Sequence, residues 1–482
     1  MANLLESYKN RLAISESYHK NFHGTAMSPA KKTMIAACLN NVSRFMNEAF
    51  DSSAATSRTA LGNYKKFCLN VATTALPTLI LPDLMLTQPM SSISGYVTYM
   101  NYVAGTTKGG VDEGDLFNGA YRLGKMDEDR AHYTSDVINE THTVTSEEAS
   151  GHKFVLDWSP VLSVKAVQID NTKYTIVEAG SEAADTSVSV DIKSGTITFA
   201  TGDTKFVNTA KVKVLYVYDN ETIPQKHEPT SLPTLKAKMD VIDLHAHARR
   251  IAVYYSQIAA FQAKTDYGFD LGQQLATQAQ GELAYEIDTE GVMMLVNGAE
   301  EDNSLIYDTY EADKATASTY ISRSQYYEGF AEVIGRAKMI IYNRTQKYAP
   351  NYMIAGTNLV PILPYLKGWK AASVANVNGP YFAGTLDGLK VYVSPAMAPD
   401  EYVFGVNGSD LQTSAAVYAP YMPIVPTQLL GFADGTMTQG FSTMYDMKLL
   451  AAYNGKFADG TNEDSKEGQY SYLLVKGHLK KA

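Results

Sequence analysis

The side chains best suited to chemistry in this sequence are Asp240, Asp243, His245 and His247, four potential metal ligands close together. Carboxylates and imidazoles in one place suit a divalent transition ion. The residues around them, however, are apolar at three- and four-residue steps, which predicts a helix. On a helix, positions two apart point about 200° from each other, so His245 and His247 could not share an ion. Solvated or interface histidines are therefore expected. Gly105–Gly110 (GTTKGG) offers backbone amides and a lysine to a phosphate, but it lacks the P-loop spacing and reads as the base of a flexible loop. The acid pairs Glu147-Glu148 and Glu300-Glu301 fall in polar stretches and should be solvated. The lysine pairs Lys31-Lys32, Lys65-Lys66 and Lys480-Lys481 are too short for a nucleic-acid stripe. Gly-x-Ser-x-Gly, Walker A, Gly-x-Gly-x-x-Gly and His-Glu-x-x-His patterns do not occur. No catalytic, cofactor-binding or metal residue is expected, and the chain does not read as an enzyme.

Composition narrows the field further. A chain of 482 residues with 45% hydrophobic and 19% charged residues is globular, with room for two to four domains. The 41 Lys and Arg against 51 Asp and Glu leave a net charge of −10, which argues against generic affinity for nucleic acid or anionic membrane. Two cysteines, Cys38 and Cys68, both in apolar surroundings, provide no disulfide framework. The charged N-terminus shows no secretion signal, and no apolar run is long enough to span a membrane. The 33 tyrosines suit either a Tyr-rich core or protein interfaces.

The elements that would position these residues centre on 236–296, which reads as two tandem helices. In the first, Val241, Leu244, Ala248, Ile251, Ala252, Tyr255, Ile258 and Ala259 form a stripe of period near 3.6. Gly268 breaks the pattern, and Asp270 with Gln273 has capping-box spacing. Leu271, Leu275, Ala279, Leu283 and Ile287 then run to a stop at Asn297-Gly298. This second helix would be roughly 39 Å long, a spine for other layers. Upstream, residues 1–27 read as an extended or partly helical arm. Ser28-Pro29 caps a helix reaching about Phe50, with Ile35, Cys38, Leu39, Val42 and Met46 inward, and a small polar linker covers 51–59. Residues 67–107 carry one charge, Asp83, and three prolines, so a short helix and buried strands are expected, ISGYVTYMNYVAG among them.

A polar, glycine-bearing stretch without periodicity covers 108–151 and reads as a long functional or mobile loop. Residues 154–219 alternate at period two between the turn signals Asp170-Asn171, Ser194-Gly195 and Thr201-Gly202-Asp203, which predicts a small inserted β-sandwich or barrel. Residues 300–319 read as a polar connector. From 320 to 430 helix and strand alternate: a helix at Gln325–Tyr348, a strand at Tyr352–Ala355, a helix starting near Asn358, and strands at Leu389–Val393, Glu401–Val406 and Ala415–Val425. Strands at about Gly440–Tyr453 and Ser471–Lys476 would return to the spine.

Two stretches carry a family likeness. Ala75–Gly105 places Pro77, Leu79, Asp83, Leu84, Gln88, Pro89, Met90 and Gly95 as in the T-even-like major capsid proteins of tailed bacteriophages. Ala415–Met447 resembles that family's ending, through Tyr418, Pro420, Tyr421, Pro423, Gly440, Phe441, Thr443 and Tyr445. YNRTQKYAPNYMIAGTNLV and the order YGFD…ELAYEID are similar too, so the resemblance covers most of residues 65–455. It implies an α+β fold of the Hong Kong 97 capsid type. Residues 1–66 would be the N-terminal arm, 67–153 the start of the peripheral domain and of an extended loop, and 154–219 the inserted β domain. Residues 220–319 would complete the loop and the peripheral domain with its spine helix, 320–430 would form the axial domain, and 431–482 would return to the peripheral domain and a tail.

The implied function is structural. Copies of the chain would form hexamers and pentamers of the head shell around double-stranded DNA, without sequence-specific binding, membrane or cofactor. Vertex, portal, scaffold or decoration proteins would be the other partners, and the host cytoplasm the place of assembly. The family commonly has a precursor cut after Leu/Ile-x-Glu; near the N-terminus Leu4-Leu5-Glu6 and Ile14-Ser15-Glu16 fit, and no cleavage, or a minor one at Glu16, is expected. A pentameric vertex paralogue and an encapsulin-like compartment are the alternatives within the fold, and a hydrolase is the alternative outside it. A bend at Tyr267–Asp270 would let one chain fit positions of different curvature.

Overall fold

The computed structural model describes residues 2–51, 68–106, 113–114, 136–169, 172–178, 186–219, 234–309, 323–345, 348–372, 379–427, 429–450, 471 and 473–480. Gly109-Gly110, Lys65-Lys66, the Asp170-Asn171 turn and most of the 51–59 linker lie outside these residues. The chain divides into two compact units, Met1–Tyr99 with Val241–Ala482, and Met100–Asp240.

The first unit is built on the long helix Leu271–Asn297. Asp270 starts it by accepting from the Gln273 N–H at 3.2 Å, and Ala279, Leu283, Ile287, Val292, Leu295 and Val296 form its buried stripe. The step of five from Ile287 to Val292 turns the buried residues round the helix, whereas the steps of four from Ala279 to Ile287 keep to one face. That face lies on a sheet of order Leu86–Thr87, Ala416–Pro426, Thr436–Leu449, His247–Ser256, with Leu430–Gly431 added against Thr436–Leu449. Ala279 and Leu283 share a core with Ile424 and Phe441 of that sheet and with Val71 and Ala75.

The first of the two expected helices is therefore mostly strand. Leu235–His245 and His247–Ser256 are extended, and only Gln257–Asp266 is helical. Arg249, Ile251, Val253 and Tyr255 alternate half-buried with exposed neighbours, the period of a strand. His247–Ser256 pairs antiparallel with Thr436–Leu449, from His247 opposite Tyr445 to Ser256 opposite Thr436. A run rich in Ile, Val and Tyr satisfies both periods, and the partner strand decides between them. The break before the long helix stands where the sequence placed it, with Gly268 at φ 73°.

A second sheet in this unit has seven strands, in the order Glu300–Asp308, Leu474–Lys480, Glu401–Gly405, Tyr352–Ala355, Leu389–Val393, Tyr381–Leu386, Trp369–Ala371. Several expectations change here. The 300–319 connector begins as a strand, paired parallel with Leu474–Lys480. That last strand also pairs with Glu401–Gly405, and just before it Ser471 N–H donates to Gly298 O, at the end of the spine helix, at 2.8 Å. Ala416–Pro426 belongs to the spine-side sheet rather than to this one. The helix at 325–348 is two, Arg323–Glu328 and Phe330–Thr345, separated by Gly329. No helix starts at Asn358; turns lead to the single 3-10 turn Leu363–Tyr365, since Pro361 and Pro364 remove helix donors.

N-terminal helices Ala2–Ser7, Lys9–His23 and Pro29–Asp51 complete this unit. In the last of these the five residues expected inward, Ile35, Cys38, Leu39, Val42 and Met46, are all buried.

The second unit contains a seven-stranded sheet, Val137–Thr143, Lys211–Tyr218, Val161–Ile169, Thr172–Glu178, Ser187–Asp191, Thr196–Phe199, Lys153–Val155. Its alternating strands match the sequence reading from 161 onward. Two parts of the expected loop belong to it instead: the edge strand Val137–Thr143 and the helix Ser146–Gly151. All the strands contribute to one core, and His142 on one edge strand stacks on Phe154 of the other, ring centroids 4.5 Å apart. The sheet is thus curled, with its two edges bridged. Glu148 is not simply solvated; it caps the helix at Thr145 and pairs with His142 at 2.9 Å. Glu300 and Glu301 likewise pair, with Arg344 at 2.7 Å and His478 at 2.8 Å.

Candidate functional site

The motif residues far apart in sequence meet in one place. Leu86–Thr87 lies parallel to Ala416–Pro426, Leu86 opposite Val417 and Thr87 opposite Tyr418. The ladder continues beyond the strand, as Gln88 N–H donates to Tyr418 O at 2.9 Å and Met90 N–H to Pro420 O at 3.0 Å. In a parallel ladder every second amide points to a given neighbour, so Pro89, between these donors, loses nothing by lacking one. Asn41, from the helix Pro29–Asp51, ties the end by donating through Nδ2 to Met90 O and Tyr421 O, both at 2.8 Å. Gly95 approaches the same place, where a Cβ would stand 3.3 Å from Met90 Cε. Pro423 is buried in the strand.

The opposite strand adds the remaining motif residues. Gly440 and Thr427 bond to each other twice, amide to carbonyl at 2.7 Å and amide to hydroxyl at 2.8 Å. Thr443 Oγ1 donates to Met422 O at 2.9 Å, where the strand pairing shifts register. Phe441 is buried against the long helix. Tyr445 lies tilted against the buried Tyr418, rings 5.9 Å apart, and donates to Glu290 of the long helix at 2.5 Å. Arg249 pairs with the same Glu290 at 2.5 Å and lies over the Tyr445 ring. This pair is half-exposed, so it is worth at most about 1 kcal/mol and serves mainly to set register.

The remaining motif acid, Asp83, lies in a buried ionic joint that sequence reading did not find. Lys31, in the first turn of the helix Pro29–Asp51, is fully buried. Its Nζ donates to Leu79 O at 2.6 Å and stands 3.6 Å from Asp83 Oδ2. Burial lowers the Lys31 ammonium, and Asp83 and Asp288 oppose that. Burial alone would raise Asp83; Lys31 and then Lys390 outweigh it and hold the carboxyl below its usual value. Asp288, inside the long helix, is pushed by burial up to about 7, although it accepts the amides of Ile80 at 3.1 Å and Leu81 at 3.3 Å.

His19 and His23 line the same joint with ring centroids 4.6 Å apart, and burial lowers them to about 4 and about 3, so both are neutral near pH 7. His23 Nε2 meets Pro77 O at 3.2 Å, which places the first motif proline in the same joint. The long helix can approach because Gly291 has no side chain: a Cβ there would collide with Leu81. One signal in the sequence pointed here, Asp288 directly after Ile287 of the apolar stripe. Lys31 gave none, because its partners lie far along the chain.

This joint is a mechanical one. It holds the N-terminal helices, the first motif and the long helix together by charges removed from water, which are costly to separate one at a time. Glu16, in the middle of the helix Lys9–His23, pairs with Lys32 at 2.9 Å. Asp243, His245 and His247 lie on strands, not on a helix. The two imidazole rings are 5.3 Å apart, and His245 Nδ1 bonds with Ser94 Oγ at 3.1 Å. Among the described residues, no three His, Cys, Asp or Glu side chains are grouped so as to hold a metal.

The sequence matches the family described as "Major capsid protein Gp23" over residues 61–475. Among solved structures, it is similar to the capsid of Myoviridae phage XM1, at 11% identity and TM-score 0.33, covering 54% of this chain and 80% of that one. A chain from Mycobacterium phage Che8 matches at 12% identity and TM-score 0.30, with 50% and 74% covered. A virus-like particle from Pyrococcus furiosus matches at 11% and 0.30, with 50% and 79% covered. A search of curated proteins returns no match. The structural likenesses are of low order, and the family match alone carries the kinship.

Proposed function

The chain belongs to the Gp23 major capsid protein family, and from that premise we propose how this subunit builds its shell. The family is structural, and so is the role of this chain: it is the protein of the phage head wall. Its mixed α and β architecture is in keeping with the Hong Kong 97 type fold that this membership implies. The observation that carries the reading is the match over 61–475, which takes in both sheets, the long helix and both motif stretches.

In this reading the unit that carries the long helix supplies the peripheral and axial parts, and Met100–Asp240 is the extended loop with its β insertion. Copies form hexamers and pentamers, because a closed icosahedral shell needs both, with one chain in non-identical surroundings. The two motif stretches form the internal ladder Leu86–Met90 against Val417–Pro420, so they act by keeping the subunit's layers in register. The buried joint at Lys31 makes the N-terminal helices part of the folded wall, and cleavage after Glu16 would require the helix around it to unwind. The net charge of −10 suits a wall that encloses double-stranded DNA without gripping it. Portal, vertex, scaffold and decoration proteins are its partners, and assembly takes place in the host cytoplasm. Negative-stain imaging of the expressed protein tests the reading: closed particles are expected, and particles filled with enzyme cargo in place of genome would favour a compartment shell.

A further inference from the structure

In the unit that carries the long helix, a water-facing apolar surface runs from the end of one strand onto the helix that follows. Tyr254 lies opposite Thr438, and Thr438 lies opposite Leu430 on the next strand. Residues directly opposite in antiparallel pairs project to the same face, so Tyr254, Thr438 and Leu430 make one row. The turn at Phe432–Gly435 closes on itself through the Gly435 amide to Phe432 O at 3.0 Å. Gln257 N–H then bonds to Gly435 O at 2.9 Å, which brings the start of the helix Gln257–Asp266 beside that turn. Ile258 and Phe261 in its first turns are three apart and so neighbours. Tyr254, Ile258 and Phe261 are 69%, 72% and 71% exposed, and Leu430 and Phe432 are 57% and 56%.

These exposures are too large to be incidental. At about 200 Å² per aromatic side chain, the three rings alone leave roughly 400 Å² in water, already the size of the largest apolar patch of an ordinary monomer. Ile258 and Leu430 enlarge it toward the roughly 800 Å² per partner of a stable interface. The surface also carries little charge. No charged residue occurs from Ile251 to Ala263, and Asp434 is the only one from Thr427 to Tyr445. A copy of this chain brings the same −10 with it, so two copies meet with least repulsion where each presents few charges.

We propose that this face, Tyr254, Ile258, Phe261, Leu430 and Phe432, is covered in the assembled shell by a second copy of the same chain. The proposal rests on the capsid reading, and gives it a location. Its test is an Ile258→Cys variant. Cys38 and Cys68 are buried and leave little background toward maleimide. In dissociated subunits the introduced thiol reacts freely; in purified shells its rate is expected to fall by at least about tenfold, since a thiol must be exposed to react. Equal rates in shells and subunits overturn the proposal while leaving the capsid reading intact. A companion Phe261→Asp variant, on an exposed position, should fold with an unchanged circular dichroism spectrum and give about a tenth or less of the wild-type shells. Wild-type yield from it also overturns the proposal. Wild-type protein that formed no shells would instead defeat the capsid reading itself.

Discussion

Replacing Lys31 by methionine tests the buried joint most sharply, because it keeps the length of the side chain and removes its charge. Lys31 donates to Leu79 O at 2.6 Å and faces Asp83 at 3.6 Å, both shielded from water. Taking away one member of such a pair strands the other, at a cost of about 3–5 kcal/mol. Asp83→Asn should cost less, because Asp288 remains close to Lys31 and can ionise in its place. The double variant leaves no uncompensated charge, so its loss should fall short of the sum of the singles by at least about 1.5 kcal/mol. In a scanning calorimeter each kcal/mol moves the midpoint of a large domain by about 2 °C, so Lys31→Met should melt roughly 6–10 °C early. Lys31→Met within about 0.5 kcal/mol of wild type, or singles that add to within that margin, would refute the joint.

Three further outcomes follow from the same structure. Leu283→Asp, which puts a charge among Ala279, Ile424 and Phe441, should abolish folding or shell formation; normal particle yield would remove the stripe from the account. Acid should loosen the N-terminal helices. His19 and His23 are held at about 4 and about 3 when folded but near 6.5 when unfolded, so their stability is lost as pH falls from 6.5 toward 4. Asp288, raised to about 7, works the other way, adding stability as pH falls from 7 toward 3.8, but one group is outweighed by two. His23→Gln should therefore flatten the fall in melting temperature between about pH 6.5 and 4.5, and an unchanged slope would count against this assignment. The break between Gln257–Asp266 and Leu271–Asn297, with Gly268 at φ 73°, should show different helix angles in independent subunits of one shell. Identical angles everywhere would leave it as packing.

What the sequence made legible depended on how local the cause was. The cap at Asp270, the start at Ser28-Pro29 and the five inward residues from Ile35 to Met46 are set by neighbours within a few turns, and they stand as read. So do the strands from Val161 to Tyr218, whose alternation was read correctly. The segment 241–256 fails for a physical reason. Its apolar residues satisfy a helical period, and the hydrogen-bonding partner that makes 247–256 a strand lies at Thr436–Leu449, invisible to a local reading. The same distance hid the joint: nothing near Lys31 announces that Leu79, Asp83 and Asp288 will enclose it. The motif residues were found by their resemblance to a family, but only the fold shows that Gln88–Met90 and Tyr418–Pro420 are two sides of one ladder.

The central claim is that many copies of this chain make a closed wall. Cryo-electron microscopy of particles from cells expressing it tests that directly. Icosahedral shells of hexamers and pentamers are expected, with the face at Ile258 and Phe261 against a neighbouring copy. A protein that stayed monomeric in sizing and imaging under every salt and scaffold condition would contradict it.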